Sequence, residues 1–118
     1  MTRPRQSLTL FTAGVCLATA LALTGCGGGD EPSQSEKSQA VGQALVAFKH
    51  AQQSGTDLSS GPCISESLPG LSDWVADVAH DPRQDVDDDP DNQCQRYRDG
   101  DAHHFVELTP NGQLIRAE

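Results

Sequence analysis

The sequence predicts an α+β domain: an N-terminal amphipathic helix and a second short helix packed on a small three-stranded antiparallel meander. Three observations carry this reading. Apolar residues recur at helical spacing from Val41 to Val78, and the last quarter of the chain switches to strand alternation broken by turn residues. Two cysteines, Cys63 and Cys94, stand where they can tie the two halves together.

Ser33 followed by Glu36 has the pattern of a capping box. Val41, Ala44, Leu45, Phe48 and Ala51 then share one stripe of a helix of about five turns. Gln39, Gln43, Lys49 and Gln52 fall largely on the other side, and Gly55 is a natural stop. Thr56 to Ser67, rich in Ser, Gly and Pro, reads as a loop around Cys63. Leu68, Leu71, Trp74 or Val75, and Val78 again step by three and four, which predicts the second helix. Asp81-Pro82 ends it, because Pro disfavours a helical residue before it. Asp85 to Asn92 (DVDDDPDN) reads as an acidic loop. Gln93 to Arg98, His103 to Thr109 and Gln113 to Ala117 read as the three strands, joined by turns at Asp99-Gly100 and Pro110-Asn111-Gly112. Alternation puts Phe105 and Glu107 on one face and Val106 and Leu108 on the other.

Upstream, Arg3 and Arg5 precede an apolar run from Leu8 to Leu23 (LTLFTAGVCLATALAL). That run has the length of a signal-peptide core and falls short of the roughly 20 apolar residues of a membrane span. Leu23-Thr24-Gly25-Cys26 closes it. An aliphatic residue, two small residues and Cys, in this order, resemble the lipobox of bacterial lipoproteins. The resemblance implies that signal peptidase II removes residues 1–25. Cys26 then carries diacylglycerol, with an acyl chain such as palmitate on its new amine, and the chain is held by lipid on the extracytoplasmic face of the cell membrane. Each buried methylene contributes about 0.8 kcal/mol, so two or three chains anchor firmly where one is marginal. Residues 26–35, opening with Gly27-Gly28-Gly29, have the composition of a flexible polar tether. Residues 36–118 form the domain.

All seventeen acidic residues lie after Cys26, against six Lys and Arg, so the mature chain carries a net charge of −11. Phosphate backbones repel such a chain, which excludes nucleic acid as a partner class; cationic partners or divalent ions suit it better. Only Phe48, Trp74, Tyr97 and Phe105 remain as aromatics after the leader, so the core is thin. Cys63 and Cys94 are the two cysteines left once Cys16 departs and Cys26 is lipidated, and outside the membrane they are expected to pair. Closing a loop of roughly 32 residues stabilises a fold by about 3–4 kcal/mol.

Asp85, Asp87, Asp89 and Asp91 alternate like the acidic half of a calcium loop, since calcium takes six to eight oxygen ligands. The EF-hand pattern fails at its sixth position, which is Pro90 rather than Gly, and at its twelfth, Arg96 rather than Glu. Two readings stand: a degenerate calcium-responsive loop of millimolar affinity, or a solvated acidic loop whose like charges spread apart. His103 and His104 sit beside Asp99 and Asp101, but neighbouring strand residues point to opposite faces and do not share one ion. There is no Gly-x-Ser-x-Gly elbow, no phosphate-binding Gly-rich loop and no Cys-x-x-Cys pair. The expectation is therefore a non-enzymatic binding or interaction module, lipid-anchored in the cell envelope, with an envelope protein as partner.

The order of one long helix, a loop and a small meander also resembles the globular part of bacterial pilins and pseudopilins. Ala44-Leu45-Val46-Ala47-Phe48-Lys49 falls where those proteins have the exposed half of their long helix. Leu68-Pro69-Gly70-Leu71 is similar to their stretch before the sheet. Arg96-Tyr97-Arg98, Asp99-Gly100 and Phe105-Val106-Glu107-Leu108 look like their first hairpin. The resemblance spans roughly Ala40 to Leu114 and implies a pilin-like or secretion-system component. The leader departs from that family, with the lipobox in place of a Gly-Phe prepilin junction.

Overall fold

The computed structural model of the protein describes residues 31–118, so Cys26, the leader and the first part of the tether lie outside the described residues. Helix α1 spans Gln34–Gln53 and begins as expected, with the Ser33 hydroxyl accepting a hydrogen bond from the Glu36 backbone N–H. The return half of a capping box is absent, because the Glu36 carboxylate instead accepts from the indole Nε1 of Trp74 at 2.9 Å. That bond fastens the helix start to the sheet and satisfies the one polar atom of a fully buried Trp. The buried stripe of α1 is Ala40, Ala44, Phe48 and Ala51, with Val41 half-buried. Leu45, expected in the stripe, is 38 % exposed. Alanine at three of the four buried positions lets the helix axis approach the strands closely.

The sheet corrects the expected three-stranded antiparallel meander. It has four strands in the order β1 (Cys63–Ser65), β2 (Trp74–Val78), β3 (His104–Leu108) and β4 (Leu114–Ala117). The β1–β2 and β3–β4 pairs are antiparallel, but β2 and β3 run parallel, with Trp74 opposite His104 and Asp77 opposite Glu107. The fold is α+β with a mixed sheet, one long helix and one short one.

Two elements exchange type relative to the sequence reading. The segment read as the second helix is a turn followed by a strand. Pro69 and Gly70 occupy the middle of a turn in which the Leu71 N–H donates to Leu68 O, and Gly70 has φ +73°. The strand Trp-Val-Ala-Asp-Val that follows is buried on both faces. Conversely, residues read as the first strand form helix α2 (Gln95–Asp99), and Gly100, read as a hairpin turn, is its left-handed stop with φ +79°. The tight hairpin between β3 and β4 is as expected: Gly112 N–H donates to Thr109 O, and Phe48 of α1 packs against that turn.

The sheet thus has two dressed faces. Trp74, Ala76, Val78, Val106 and Leu108 pack beneath α1 with Leu58 and Leu68. On the other face Val75 packs with Cys94 and Ala102, flanked by Phe105 and Cys63. Parallel pairing of consecutive strands demands a long return of the chain. Residues 79–103 make that return and supply the second layer.

Candidate functional site

The return segment and the open face of the sheet enclose a cavity of ≈ 140 Å³. Val75, Asp77, Phe105 and Glu107 line it from β2 and β3, all on the face that strand alternation turns away from α1. Arg83 and Tyr97 wall it from the return segment, and Arg116 closes it from β4. Tyr97 meets Phe105 edge to face at 5.1 Å between centroids, and the Arg116 guanidinium lies 4.8 Å over the Phe105 ring. Both contacts fix the shape of the apolar side of the cavity.

The two carboxyl groups there are held very differently. Glu107, 5 % exposed, accepts from Arg83 Nη1 at 2.9 Å and from Arg116 Nε at 2.7 Å. Arg83 is itself oriented by Asp88, whose carboxylate takes its Nε at 2.9 Å. Asp77, directly across the β2–β3 ladder, has no such partner. Its Oδ1 is, among the described residues, the one buried side-chain polar atom without a hydrogen bond. Burial first, and then the neighbouring charge of Glu107, push its carboxyl up to about 7, with Arg83 and Arg116 pulling weakly the other way. An acid kept near neutrality by a dry setting costs stability wherever it ionises, and such positions concentrate at functional sites.

The acidic loop has a different use from the one its composition suggests. Asp87 is 3 % exposed and turned inward. Its Oδ2 accepts from the backbone N–H groups of His80 (3.0 Å) and Gln84 (2.8 Å), and its Oδ1 meets His80 Nδ1 at 2.9 Å. Burial raises the Asp87 carboxyl, but the hydrogen bonds from Gln84 and His80 outweigh it and hold the group below the ordinary carboxylate range. Gly61 passes so close that a Cβ there would lie 2.5 Å from Asp87 Oδ1. Asp85, Asp89 and Asp91 are exposed, and Asp89 Oδ1 accepts from the Asp91 backbone N–H. The four aspartates are not brought together as one ligand set. Asp87→Asn is therefore expected to lower stability by about 2 kcal/mol at neutral pH, because an amide cannot accept three such bonds equally well. Denaturant unfolding at pH 7 and at about pH 2 checks this. The loss should shrink at the lower pH, where a depressed carboxylate no longer contributes its advantage.

Cys63 and Cys94 form the expected disulfide, with Cα atoms 4.8 Å apart. Among the described residues the one close set of three ligand-type side chains is Cys63, Glu66 and Cys94, and its two sulfurs are bonded to each other. Glu66 has a structural use there. Its carboxylate accepts from the backbone N–H groups of Gln95 (2.8 Å) and Arg96 (3.0 Å), capping α2. His103 and His104 turn not to Asp99 or Asp101 but to Asp73, at 2.8 and 3.7 Å. The His103 hydrogen bond is the main cause holding the Asp73 carboxyl below its usual range.

The residues around the cavity escaped the sequence reading, although one signal was present: Asp77 is the single acid inside the otherwise apolar run Trp74–Val78. Among the described residues no helix is long and apolar enough to cross a membrane. Comparison with protein-family models, with curated proteins and with solved structures finds no match to this chain.

Proposed function

We propose that this protein is a lipid-anchored module of the cell envelope that binds a small ligand, or one end of a larger one, in the cavity beside Asp77. The observation that carries the binding site is the unpaired buried oxygen of Asp77 in the lining of the cavity. A polar group left in that condition is what a ligand of matching chemistry would satisfy. Binding fits this arrangement better than catalysis. Glu107, the second carboxylate, is held on both oxygens by two arginines and is not poised to attack a bond. The acidic loop is the weaker candidate for a calcium-responsive module, since calcium would have to withdraw Asp87 from His80 and Gln84. A pilin-like assembly role finds no further support in a mixed sheet with a parallel central pair.

A fragment screen followed by nuclear magnetic resonance tests the pocket. Hits are expected to shift the signals of Val75, Tyr97 and Phe105. Hits clustering instead on the exposed helix residues Leu45 and Val46 would overturn the assignment. The anchor rests on Leu23-Thr24-Gly25-Cys26, and the intact mass of the protein extracted from its native membrane tests it. The expected species begins at Cys26, carries acyl mass and gains two hydrogens on reduction. A chain that keeps residues 8–23 and bears no lipid would remove the anchor from this reading.

A further inference from the structure

We infer that the cavity takes the aminoalkyl end of a cationic ligand, its ammonium group on Asp77 and its methylenes against Val75, Phe105 and Tyr97. This inference rests on the pocket reading above and adds the ligand's charge class. Three independent features point the same way. The first is size: ≈ 140 Å³ is near the volume that holds a single six-membered ring, too little for a whole drug-sized molecule but enough for a short chain end.

The second is the local charge arrangement. The charged groups acting on Asp77 are Glu107 on β3, Arg83 on the return segment and Arg116 on β4, with Asp87 acting least. Both arginines are already engaged: Arg83 by Glu107 and Asp88, Arg116 by Glu107. Neither guanidinium donates to Asp77, and its buried Oδ1 is left without a hydrogen-bond donor. An alcohol would supply a donor without charge, and an ionised carboxylate would bring no donor at all for the Asp77 oxygen. The third feature is the whole chain. With seventeen acidic residues against six basic ones after Cys26, its field draws cations toward every concave surface.

A linked proton makes the inference testable. Asp77, held up to about 7, is mostly protonated in mildly acidic solution. A bound ammonium favours the carboxylate, so binding expels the Asp77 proton to the buffer while the amine keeps its own charge. At about pH 6, close to one proton should therefore leave for each ligand bound, and affinity should tighten about tenfold between pH 6 and pH 8.

The experiment uses the full chain and three probes of equal length: butylammonium, butanol and butyrate. Binding is followed by the Asp77 carboxyl and Phe105 ring resonances, and proton release by calorimetry in two buffers of different ionisation enthalpy. Butylammonium is expected to bind with proton release and to outbind butanol. Asp77→Asn should abolish both the release and the pH dependence. Butanol or butyrate binding better than the amine, without proton release, would overturn the charge class while leaving the pocket as a binding site. No perturbation of Val75, Asp77 or Phe105 by any probe at millimolar concentration would overturn both.

Discussion

Replacing Cys63 and Cys94 together by alanine is expected to lower stability by about 3–4 kcal/mol, with a fall in melting temperature of roughly 15–25 °C. The bridge closes a sequence separation of 31 residues, and most of its effect lies in restricting the unfolded chain. A domain of this size has about 4–12 kcal/mol in total, so the loss takes a large share. The damage should also be local. Cys94 sits at the entry of α2, whose five residues are too few to hold a helix alone. What else holds α2 is Glu66 capping its first N–H groups, and Arg96 reaching the carbonyls of Glu66, Ser72 and Asp101 at 2.8–3.0 Å. In the double variant amide exchange should accelerate first at Gln95–Asp99 and around Cys63, ahead of α1. Thermal unfolding with and without reductant, alongside exchange, measures both effects. A variant that melts within a few degrees of the parent would show that Glu66 and Arg96 suffice.

Asp77→Asn is expected to do the opposite and raise stability by about 2–3 kcal/mol at pH 8, with little change at pH 4. The Asp77 carboxyl rises from 3.8 to about 7 on folding. Between those values the folded chain holds a proton that the unfolded chain has released, so stability falls as pH rises, by up to about 1.4 kcal/mol per unit. Above about 7 both states are ionised and the penalty is complete. Asparagine removes the charge penalty but keeps the unpaired oxygen, which is why the gain stays below the full shift. Asp87 and Asp73 act in the other direction, contributing above about pH 4 and losing their advantage below it. Maximum stability should therefore fall on the acid side of neutrality, and denaturant midpoints at pH 4, 6 and 8 locate it. A variant destabilised equally at every pH would mean that the Asp77 carboxylate has a partner worth keeping. A variant that is more stable yet no longer binds amines is the expected exchange of stability for recognition.

Helix α1, the final hairpin and the disulfide were legible in the sequence because each is decided locally or by elimination. Ser33, the helical spacing through Phe48 and Ala51, and Pro110-Asn111-Gly112 all act within a few residues of themselves, and Cys63 and Cys94 are the only two cysteines beyond Cys26. Strand β2 was hidden by a coincidence. Leu68 and Leu71 belong to a Pro-Gly turn, and their spacing to Trp74 and Val78 imitates a helix. Pro69-Gly70 was the more specific signal, since it fixes a turn by backbone geometry. Residues 93–98 have no strong intrinsic preference, and α2 exists because Glu66, distant in sequence, caps it. Parallel pairing of β2 with β3 lies beyond any local pattern. The site fared likewise: four alternating aspartates drew attention by number, whereas Asp77 and Asp87 are singled out by what surrounds them.

The single parallel pairing has a consequence for how such a chain can change over generations. Residues 79–103 travel across one side of the sheet and build the cavity wall, while Trp74, Val106 and Leu108 meet α1 on the other side. The cavity and the packing beneath α1 thereby lie on opposite surfaces of the same few strands. Lengthening, shortening or rewriting the return around Arg83 and Tyr97 leaves the helix-side packing untouched, provided Cys94 keeps its bond to Cys63.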